Sequence, residues 1–160
     1  MEQVFKRVLI PIDGSNYSLE AGEFGIKLAK GYGMEVLALH VIDETALASL
    51  SRLVRKGEEE LRGDLQREGE NCLNYMAELA ARAGVQLHRL IEEGTPHRAI
   101  VEVAEREGVD LILIGKVGRR GPRRILIGSV TERVIESAKC PVLVVHADLR
   151  NGPSGPDLRA

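Results

Sequence analysis

Short apolar segments alternate with helical patterns along almost the whole chain, and this alternation is what most constrains the fold. The apolar segments are residues 7–12, 35–42, 85–91, 110–114 and 141–145. Four of them are nearly continuous in valine, isoleucine and leucine, which is typical of parallel strands covered on both faces. Residues 85–91 are more mixed, which favours a sheet edge. The order βαβαβαβαβ predicts an α/β fold, an open five-stranded parallel sheet with helices on both faces.

Helical periodicity fills the segments between the predicted strands. After the first strand, apolar residues recur at spacings of four, three and four, which is the pattern of one helix face. Ser15 or Asn16 can cap this helix and Gly31 can end it, while Gly84 and Gly108 can end the second and third helices. The predicted apolar faces are, in chain order, Tyr17, Ala21, Phe24 and Leu28; Leu65, Cys72, Met76, Leu79, Ala80 and Ala83; Ile100, Val103 and Ala104; and Val130, Val134, Ile135 and Ala138.

Length and composition favour one globular domain. A chain of 160 residues corresponds to a single domain, which we expect to span residues 1–147. Apolar residues make up 44% and charged residues 29%, as is ordinary for a soluble protein. Residues 43–64 are an irregular, charge-dense excursion, interpreted as a solvated helical piece or as a partner-binding arm that could gate a site. Residues 148–160 contain NGPSGP and predict a disordered tail.

Charge and cysteine content disfavour several classes of function. The net charge of −2 argues against a general polyanion-binding role, and 3% aromatic residues without tryptophan argue against stacking on single-stranded nucleic acid. The two cysteines lack metal-ligand spacing, so neither a disulfide scaffold nor a zinc site is expected. The N-terminus lacks an apolar signal segment, and no run approaches the length of a membrane span. We therefore expect a cytoplasmic protein with no nucleic-acid partner and no membrane span.

The segment after the fourth strand carries the strongest chemical signal. Residues 115–130 read GKVGRRGPRRILIGSV, with glycines, a basic stretch and then Gly128-Ser129 at the start of a helix. Glycines let the backbone approach an oxyanion, and free N–H groups at a helix start donate to phosphate oxygens. Arg119, Arg120, Arg123 and Arg124 add positive charge. The segment predicts a phosphate site; a flexible connection with Ser129 as an ordinary helix cap is the alternative.

Motifs of other nucleotide-binding proteins and of hydrolases are absent. No GxxxxGKS/T occurs and no GxGxxG follows the first strand, so neither a P-loop nor a dinucleotide-binding Rossmann site is supported. His40 lies within a strand and is expected to be a satisfied core histidine. No Ser/His/Asp arrangement is visible, so we assign no catalytic residue and no metal ligand.

The spacing Gly115-x2-Gly118-x9-Gly128-Ser129 resembles the G-2x-G-9x-G-S/T signature of ATP-binding universal stress proteins. VLIPIDGS near the start is similar to that family's first strand and its nucleoside-side aspartate, and GSVTERVIESAKCPVLVV to its last helix and strand. The resemblance covers about residues 4–146. It implies the strand order 3-2-1-4-5 and a fold like that of the adenine nucleotide α-hydrolases.

The resemblance also implies a set of nucleotide contacts. Asp13 would hold the ribose, although an Asp before Gly-Ser is also a common turn or cap residue. The cofactor implied is ATP, with or without Mg²⁺. The remaining implied contacts are the backbone of Pro11 and Ile12 near the nucleoside, Val41 at the adenine, Gly115 against the ribose, and Gly118, Gly128, Ser129 and Val130 at the phosphates.

The implied function is that of an ATP-binding stress or signalling regulator that acts through nucleotide-dependent conformation or through an unknown protein partner. Family members pair through their last strand, so a homodimer through the strand from Pro141 to Val145 is expected. A slow ATPase or phosphotransferase is the main alternative, although only Asp13 offers a carboxylate near the loop. AMP or another adenine nucleotide could be the ligand instead. An adenylating enzyme is disfavoured, because PIDGS stands where such enzymes carry an SGGxDS-like loop.

Overall fold

The computed structural model describes residues 2–118 and 126–146, and strands alternate with helices through both ranges. The arginines at 119–124 and the predicted tail at 148–160 lie outside the described residues. In chain order the elements are β1 (Arg7–Pro11), α1 (Asn16–Tyr32), β2 (Glu35–Asp43), α2 (Glu44–Val54), α3 (Glu58–Ala83), β3 (Leu87–Gly94), α4 (Pro96–Arg106), β4 (Leu111–Gly115), α5 (Ser129–Ser137) and β5 (Val142–Val145).

The five strands form one parallel sheet in the order β3-β2-β1-β4-β5, which confirms the expected fold. β1 pairs with β2 as far as Pro11 opposite Leu39. It pairs with β4 only through Val8 and Leu9. The strand order reverses between β1 and β4, and the two strands part before their carboxyl ends. In open parallel sheets this is where ligands bind.

Two apolar layers cover the sheet. On one face α1 and α3 pack against Val8 and Ile10 of β1. On the other face α4 and α5 cover Leu9, Ile112 and Ile114. The inner strands β1, β2 and β4 are therefore buried on both sides, and this is why their sequences are almost continuously apolar. The edge strands β3 and β5 are only partly buried, so the expectation that the last strand is covered on both faces is wrong. The prediction of helices on both faces is confirmed.

The buried face of α1 differs from the predicted one. Phe24 is 45% exposed, and the helix instead buries small residues such as Gly22 and Gly25. A Cβ added at Gly25 would lie 2.3 Å from Cδ1 of Ile10, so at this position the helix is too close to the sheet for any larger residue. The spacing of apolar residues predicted the helical period correctly, but it placed Phe24 on the buried face and left Gly22 and Gly25 off that face. The helix ends at Gly33 in the left-handed conformation, φ 69°, and not at Gly31.

Residues 43–64 are mostly helical, which agrees with the interpretation of a solvated helical piece, although they are more regular than expected. They comprise α2, whose buried residue is Leu47, and the first turns of α3. Arg62 of α3 forms ion pairs with Glu58, Glu59 and Glu93, so much of this charge is paired within the segment or to the end of β3. In the described ranges, no helix has both the length and the apolar character that a membrane crossing requires.

Candidate functional site

The turn from β1 into α1 is held by its own side chains. Oδ1 of Asp13 accepts hydrogen bonds from the Ser15 N–H at 2.9 Å and from the Ser15 hydroxyl at 2.6 Å. Ser15 in turn caps α1 by accepting from the Ser18 N–H at 3.2 Å. The Asp13 N–H donates to the Ser18 hydroxyl at 3.2 Å. Asp13 is thus a turn residue, as one interpretation of the sequence held, and its position is fixed by that role.

The other carboxylate oxygen of Asp13 lies beside the glycine-rich segment. A Cβ added at Gly118 would be 2.8 Å from Oδ2 of Asp13. A Cβ at Gly128 would lie 3.3 Å from Cα of Val117 and 3.5 Å from the Gly118 nitrogen. The Gly128 N–H also donates to the Lys116 carbonyl at 2.8 Å. The two ends of the segment therefore meet beside Asp13, at distances that favour glycine at both positions.

The start of α5 carries no side-chain cap. Gly128 is the N-cap residue, with extended backbone (φ −69°, ψ 151°), and it makes no side-chain cap hydrogen bond. Ser129 is the first residue of the helix, so its interpretation as the cap is wrong. The first N–H groups of a helix have no partner within the helix, and together with the helix dipole they form a site for anions.

The backbone of β2 continues past the end of β1. The Ile12 N–H donates to the Leu39 carbonyl at 2.8 Å, and this is the last backbone bond between the two segments among the described residues. Val41 lies two residues further along β2, so its backbone groups face the same side. His40, between them, is 6% exposed, and its Nδ1 lies 2.7 Å from the Ile12 carbonyl. The expectation of a satisfied core histidine is confirmed.

Thr131, which the sequence analysis missed, joins α5 to β4. Its hydroxyl donates to the Gly115 carbonyl at 2.8 Å, and the residue is 3% exposed. The predicted face included Ile135, which is 45% exposed. Thr131 lies three residues before Val134 and seven before Ala138, so helical spacing already placed it on the buried face.

Basic side chains surround the first turn of α4, next to α5. Partial burial, Arg133 of α5 and Arg98 together lower the pKa of His97 below its ordinary value, with burial as the largest cause. Neither arginine forms an ion pair within the described residues. Two arginines therefore lie close enough to His97 to affect its pKa, whereas the turn before α1 presents the carboxylate of Asp13.

The structure brings most of the predicted contacts to one end of the sheet. Asp13, Gly118 and Gly128 are adjacent in space, and Gly115 is tied to α5 through Thr131. Within the described ranges, no group of three or more His, Cys, Asp or Glu residues is arranged to hold a metal ion. The remaining predicted contacts are placed by their elements: Pro11 and Ile12 at the end of β1, Val41 on β2, and Ser129 and Val130 in the first turn of α5.

Comparison with known sequences identifies the family. The sequence model described as the universal stress protein family matches residues 5–146. This chain belongs to the universal stress protein family. The universal stress protein MJ0531 of Methanocaldococcus jannaschii is 43% identical over 145 residues, which cover 90% of this chain and 84% of that one.

Solved structures of the family share the fold. The protein MJ0577, a universal stress protein of the same organism, superposes with a TM-score of 0.76 at 36% identity, covering 91% of this chain and 98% of that one. A universal stress protein in complex with cAMP superposes at 0.68 with 23% identity, covering 91% and 99%. At that identity the second likeness shows the fold alone.

Proposed function

We propose that this chain is an ATP-binding universal stress protein that regulates its targets through nucleotide-dependent conformation. The observation that carries the proposal is the meeting of Asp13 with Gly118 and Gly128 beside the uncapped start of α5. A carboxylate accepts hydrogen bonds from sugar hydroxyls, and an open helix start donates them to phosphate. The crevice between Asp13 and the start of α5 at Gly128 thus offers a hydrogen-bond acceptor to the sugar and hydrogen-bond donors to the phosphates of a nucleotide.

Each predicted contact has a matching role. The second oxygen of Asp13 would accept from the ribose, against which Gly115 lies, and the backbone of Pro11 and Ile12 would line the nucleoside. Val41 would use its backbone N–H and carbonyl to recognise adenine. The phosphates would lie over Gly118 and Gly128 and accept from the N–H groups of Ser129 and Val130. Mg²⁺, if it accompanies ATP, would be bound mainly by the phosphates.

Regulation is favoured over catalysis by the same geometry. Phosphoryl transfer needs a positioned nucleophile or general base and a metal held near the transferred group. Asp13 already accepts two hydrogen bonds through one oxygen, and its proposed partner is the ribose, so it is not assigned as a general base. A slow ATPase is the second candidate, and turnover that disappears in both Asp13→Ala and Gly128→Ala would support it.

A homodimer through the strand from Pro141 to Val145 completes the proposal. β5 is at one edge of the sheet, and its Leu143 is 36% exposed. An apolar edge strand is a template for pairing with another strand, and a second copy of β5 would cover it. Sedimentation at micromolar concentration tests this, since a monomer there contradicts it. Cytoplasmic location and an unidentified protein partner remain part of the proposal.

The decisive experiment measures nucleotide binding directly. Protein is purified, denatured and assayed by chromatography with mass detection for released ATP, ADP or AMP, and stripped protein is titrated with each nucleotide by calorimetry, with and without Mg²⁺. Gly118→Val should abolish ATP binding, because its side chain would enter the space beside Asp13. Gly31→Val is the matched control, because a Cβ at Gly31 has no atom within 4 Å.

Each result has a definite meaning. ATP binding that is lost only in Gly118→Val supports the proposal. Stronger binding of AMP or cAMP would replace ATP as the ligand and keep the site. Absence of binding to every nucleotide, in a folded protein, would reject the function.

A further inference from the structure

Polar side chains are buried at only three positions of the described core. Ser18 is 5% exposed, His40 is 6% exposed and Thr131 is 3% exposed. Burying a polar group costs free energy unless it is hydrogen-bonded. All three groups bond to backbone atoms at the carboxyl ends of β1 and β4 or in the turn that follows β1. The described core is therefore polar only where it borders the candidate site.

His40 ends the β1–β2 ladder early. In a parallel ladder the bond after Ile12 N–H to Leu39 carbonyl would join the Val41 N–H to the Ile12 carbonyl. In the structure the Ile12 carbonyl lies instead 2.7 Å from Nδ1 of His40, within hydrogen-bond distance. A carbonyl oxygen only accepts, so Nδ1 carries the proton. Among the described residues, no backbone bond then joins Val41 to β1, and its N–H and carbonyl face the crevice.

α3 holds the His40 ring in this position. A Cβ added at Gly69 would lie 2.4 Å from Cδ2 of His40 and 2.9 Å from its Nε2. The ring therefore occupies the space of a missing side chain in the middle of a helix. A glycine there costs the helix up to about 1 kcal/mol relative to alanine, and it gives the ring a single place to lie.

On the other side of the crevice, Thr131 is likewise a buried side chain that hydrogen-bonds to a strand carbonyl. A threonine within a helix commonly bonds to a carbonyl of its own preceding turn. Thr131 instead donates to the Gly115 carbonyl at the end of β4. Together with the Gly128 N–H bond to Lys116, this fixes the uncapped start of α5 against the strand.

We propose that His40 and Thr131 are positioning residues of the nucleotide site, His40 for the base and Thr131 for the phosphates. His40 keeps the backbone of Val41 available to adenine by occupying the Ile12 carbonyl. Thr131 keeps the first N–H groups of α5 aimed at the crevice. This inference rests on the proposed function and assigns each half of the ligand to a different buried side chain.

The two ligands ATP and adenosine separate the two roles. His40→Leu should weaken both ligands by a similar factor of about ten, the worth of one or two hydrogen bonds. Thr131→Val should weaken ATP by a similar factor of about ten and leave adenosine unchanged, because only the phosphates use α5. His40→Asn keeps a donor near the Nδ1 position, and Thr131→Ser keeps the hydroxyl, so each should restore most of the affinity.

Val103→Ala is the control for lost stability. Val103 is a core residue of α4 that is 1% exposed, and it makes no contact assigned to the site. Affinities for ATP and adenosine are measured by calorimetry on stripped protein, and thermal unfolding is recorded for every variant. Gly69→Ala is a further variant that displaces the His40 ring without removing its nitrogen, and it should match His40→Leu.

Several results would overturn the inference. If His40→Leu and Thr131→Val change affinity no more than Val103→Ala does, the buried groups serve stability alone. If Thr131→Val weakens adenosine as much as ATP, its assignment to the phosphates is wrong. Should His40→Leu fail to fold, unchanged affinities in Gly69→Ala would reject the role of His40. Wild-type protein that binds neither ligand would reject the proposed function, and the inference with it.

Discussion

The two helices that start beside the crevice, α1 and α5, begin in opposite ways. At α1, Ser15 caps the helix and Asp13 accepts from Ser15 twice, so local side chains use the donors of the turn. At α5, the cap residue is Gly128, which has no side chain to accept from the helix. Among the described residues, the first start is capped by its own side chains and the second has no side-chain cap.

This difference explains how one crevice can take a molecule with two chemically distinct ends. The turn before α1 places the carboxylate of Asp13 at the crevice, and a carboxylate suits hydroxyl donors. The open start leaves N–H groups, which suit anionic oxygens.

The largest expected effect comes from removing the carboxylate. Asp13→Ala should weaken ATP binding by about a hundredfold, because hydrogen bonds to a charged group are each worth about 1.5–3 kcal/mol. Calorimetry with ATP and with an ATP analogue that lacks both ribose hydroxyls tests the assignment. The analogue should bind wild type and Asp13→Ala about equally. A hundredfold loss for the analogue too would mean that Asp13 acts elsewhere than on the ribose.

A serine at position 128 should give α5 a side-chain cap like the one that Ser15 gives α1. Gly128→Ser and Gly128→Ala share the steric cost of a Cβ, so their difference isolates the cap. The serine variant should be more stable by about 1 kcal/mol, the usual worth of an N-cap hydroxyl. It should also bind ATP several-fold more weakly than the alanine variant, because the hydroxyl occupies an N–H that the phosphate needs.

Chemical denaturation and ATP titration of this pair provide the measurements. Equal ATP affinity in the two variants would show that the phosphates do not use the start of α5. The crevice would then hold its anion by side-chain charge.

Removal of the cap at α1 should lower stability and have little effect on ATP affinity. Ser15→Ala should lower the free energy of unfolding by about 1 kcal/mol through loss of the N-cap. ATP affinity should fall by less than about fivefold, since Asp13 keeps the hydrogen bond from the Ser15 N–H and the lost hydroxyl has no contact assigned to the nucleotide. A drop in affinity as large as that of Asp13→Ala would show that the two starts are not independent.

The smallest effect concerns the charge beside α5. His97 should titrate below the ordinary histidine value near 6.5, and Arg133→Gln should raise its pKa because a like charge is removed. A histidine with a lowered pKa contributes stability that is present above the unfolded value and is lost as the pH falls below it. NMR titration of the ring protons measures both values. An unchanged pKa in Arg133→Gln would remove Arg133 as a cause.

Sequence alone predicted the sheet well because its information is local and redundant. The apolar runs of the inner strands report burial on two faces, so these strands and the parallel arrangement follow from composition and order. The face of α1 was predicted wrongly, because close packing against Ile10 and Met76 selects glycines and hydropathy gives glycine little weight. Gly33 could not be preferred over Gly31 without the backbone conformation.

At the site, the motif spacing located the two ends of the glycine segment, but it could not show that Asp13 touches Gly118. That contact joins residues 105 positions apart and depends on where β1 and β4 part. Thr131 was missed because hydropathy gives a threonine little weight, although its helical spacing fits the buried face, and because the strand carbonyl that it bonds lies on another element. His40 was interpreted correctly as buried, while its partner Ile12 lies on another strand and is invisible to periodicity.

The close packing of α1 against β1 affects how the helix can move. With glycines at its contacts, the helix lies directly on the strand and on Met76, so it has little room to slide or rotate on its own. Its first turn holds Asp13, and at its other end Gln3 donates to the carbonyls of Tyr32 and Gly33 at 3.0 Å. The helix spans about 25 Å at 1.5 Å per residue. If α1 and β1 tilt together by roughly 5° about the nucleotide end, the Gln3 end moves by about 2 Å, so α1 links the carboxyl ends of the strands to their amino ends.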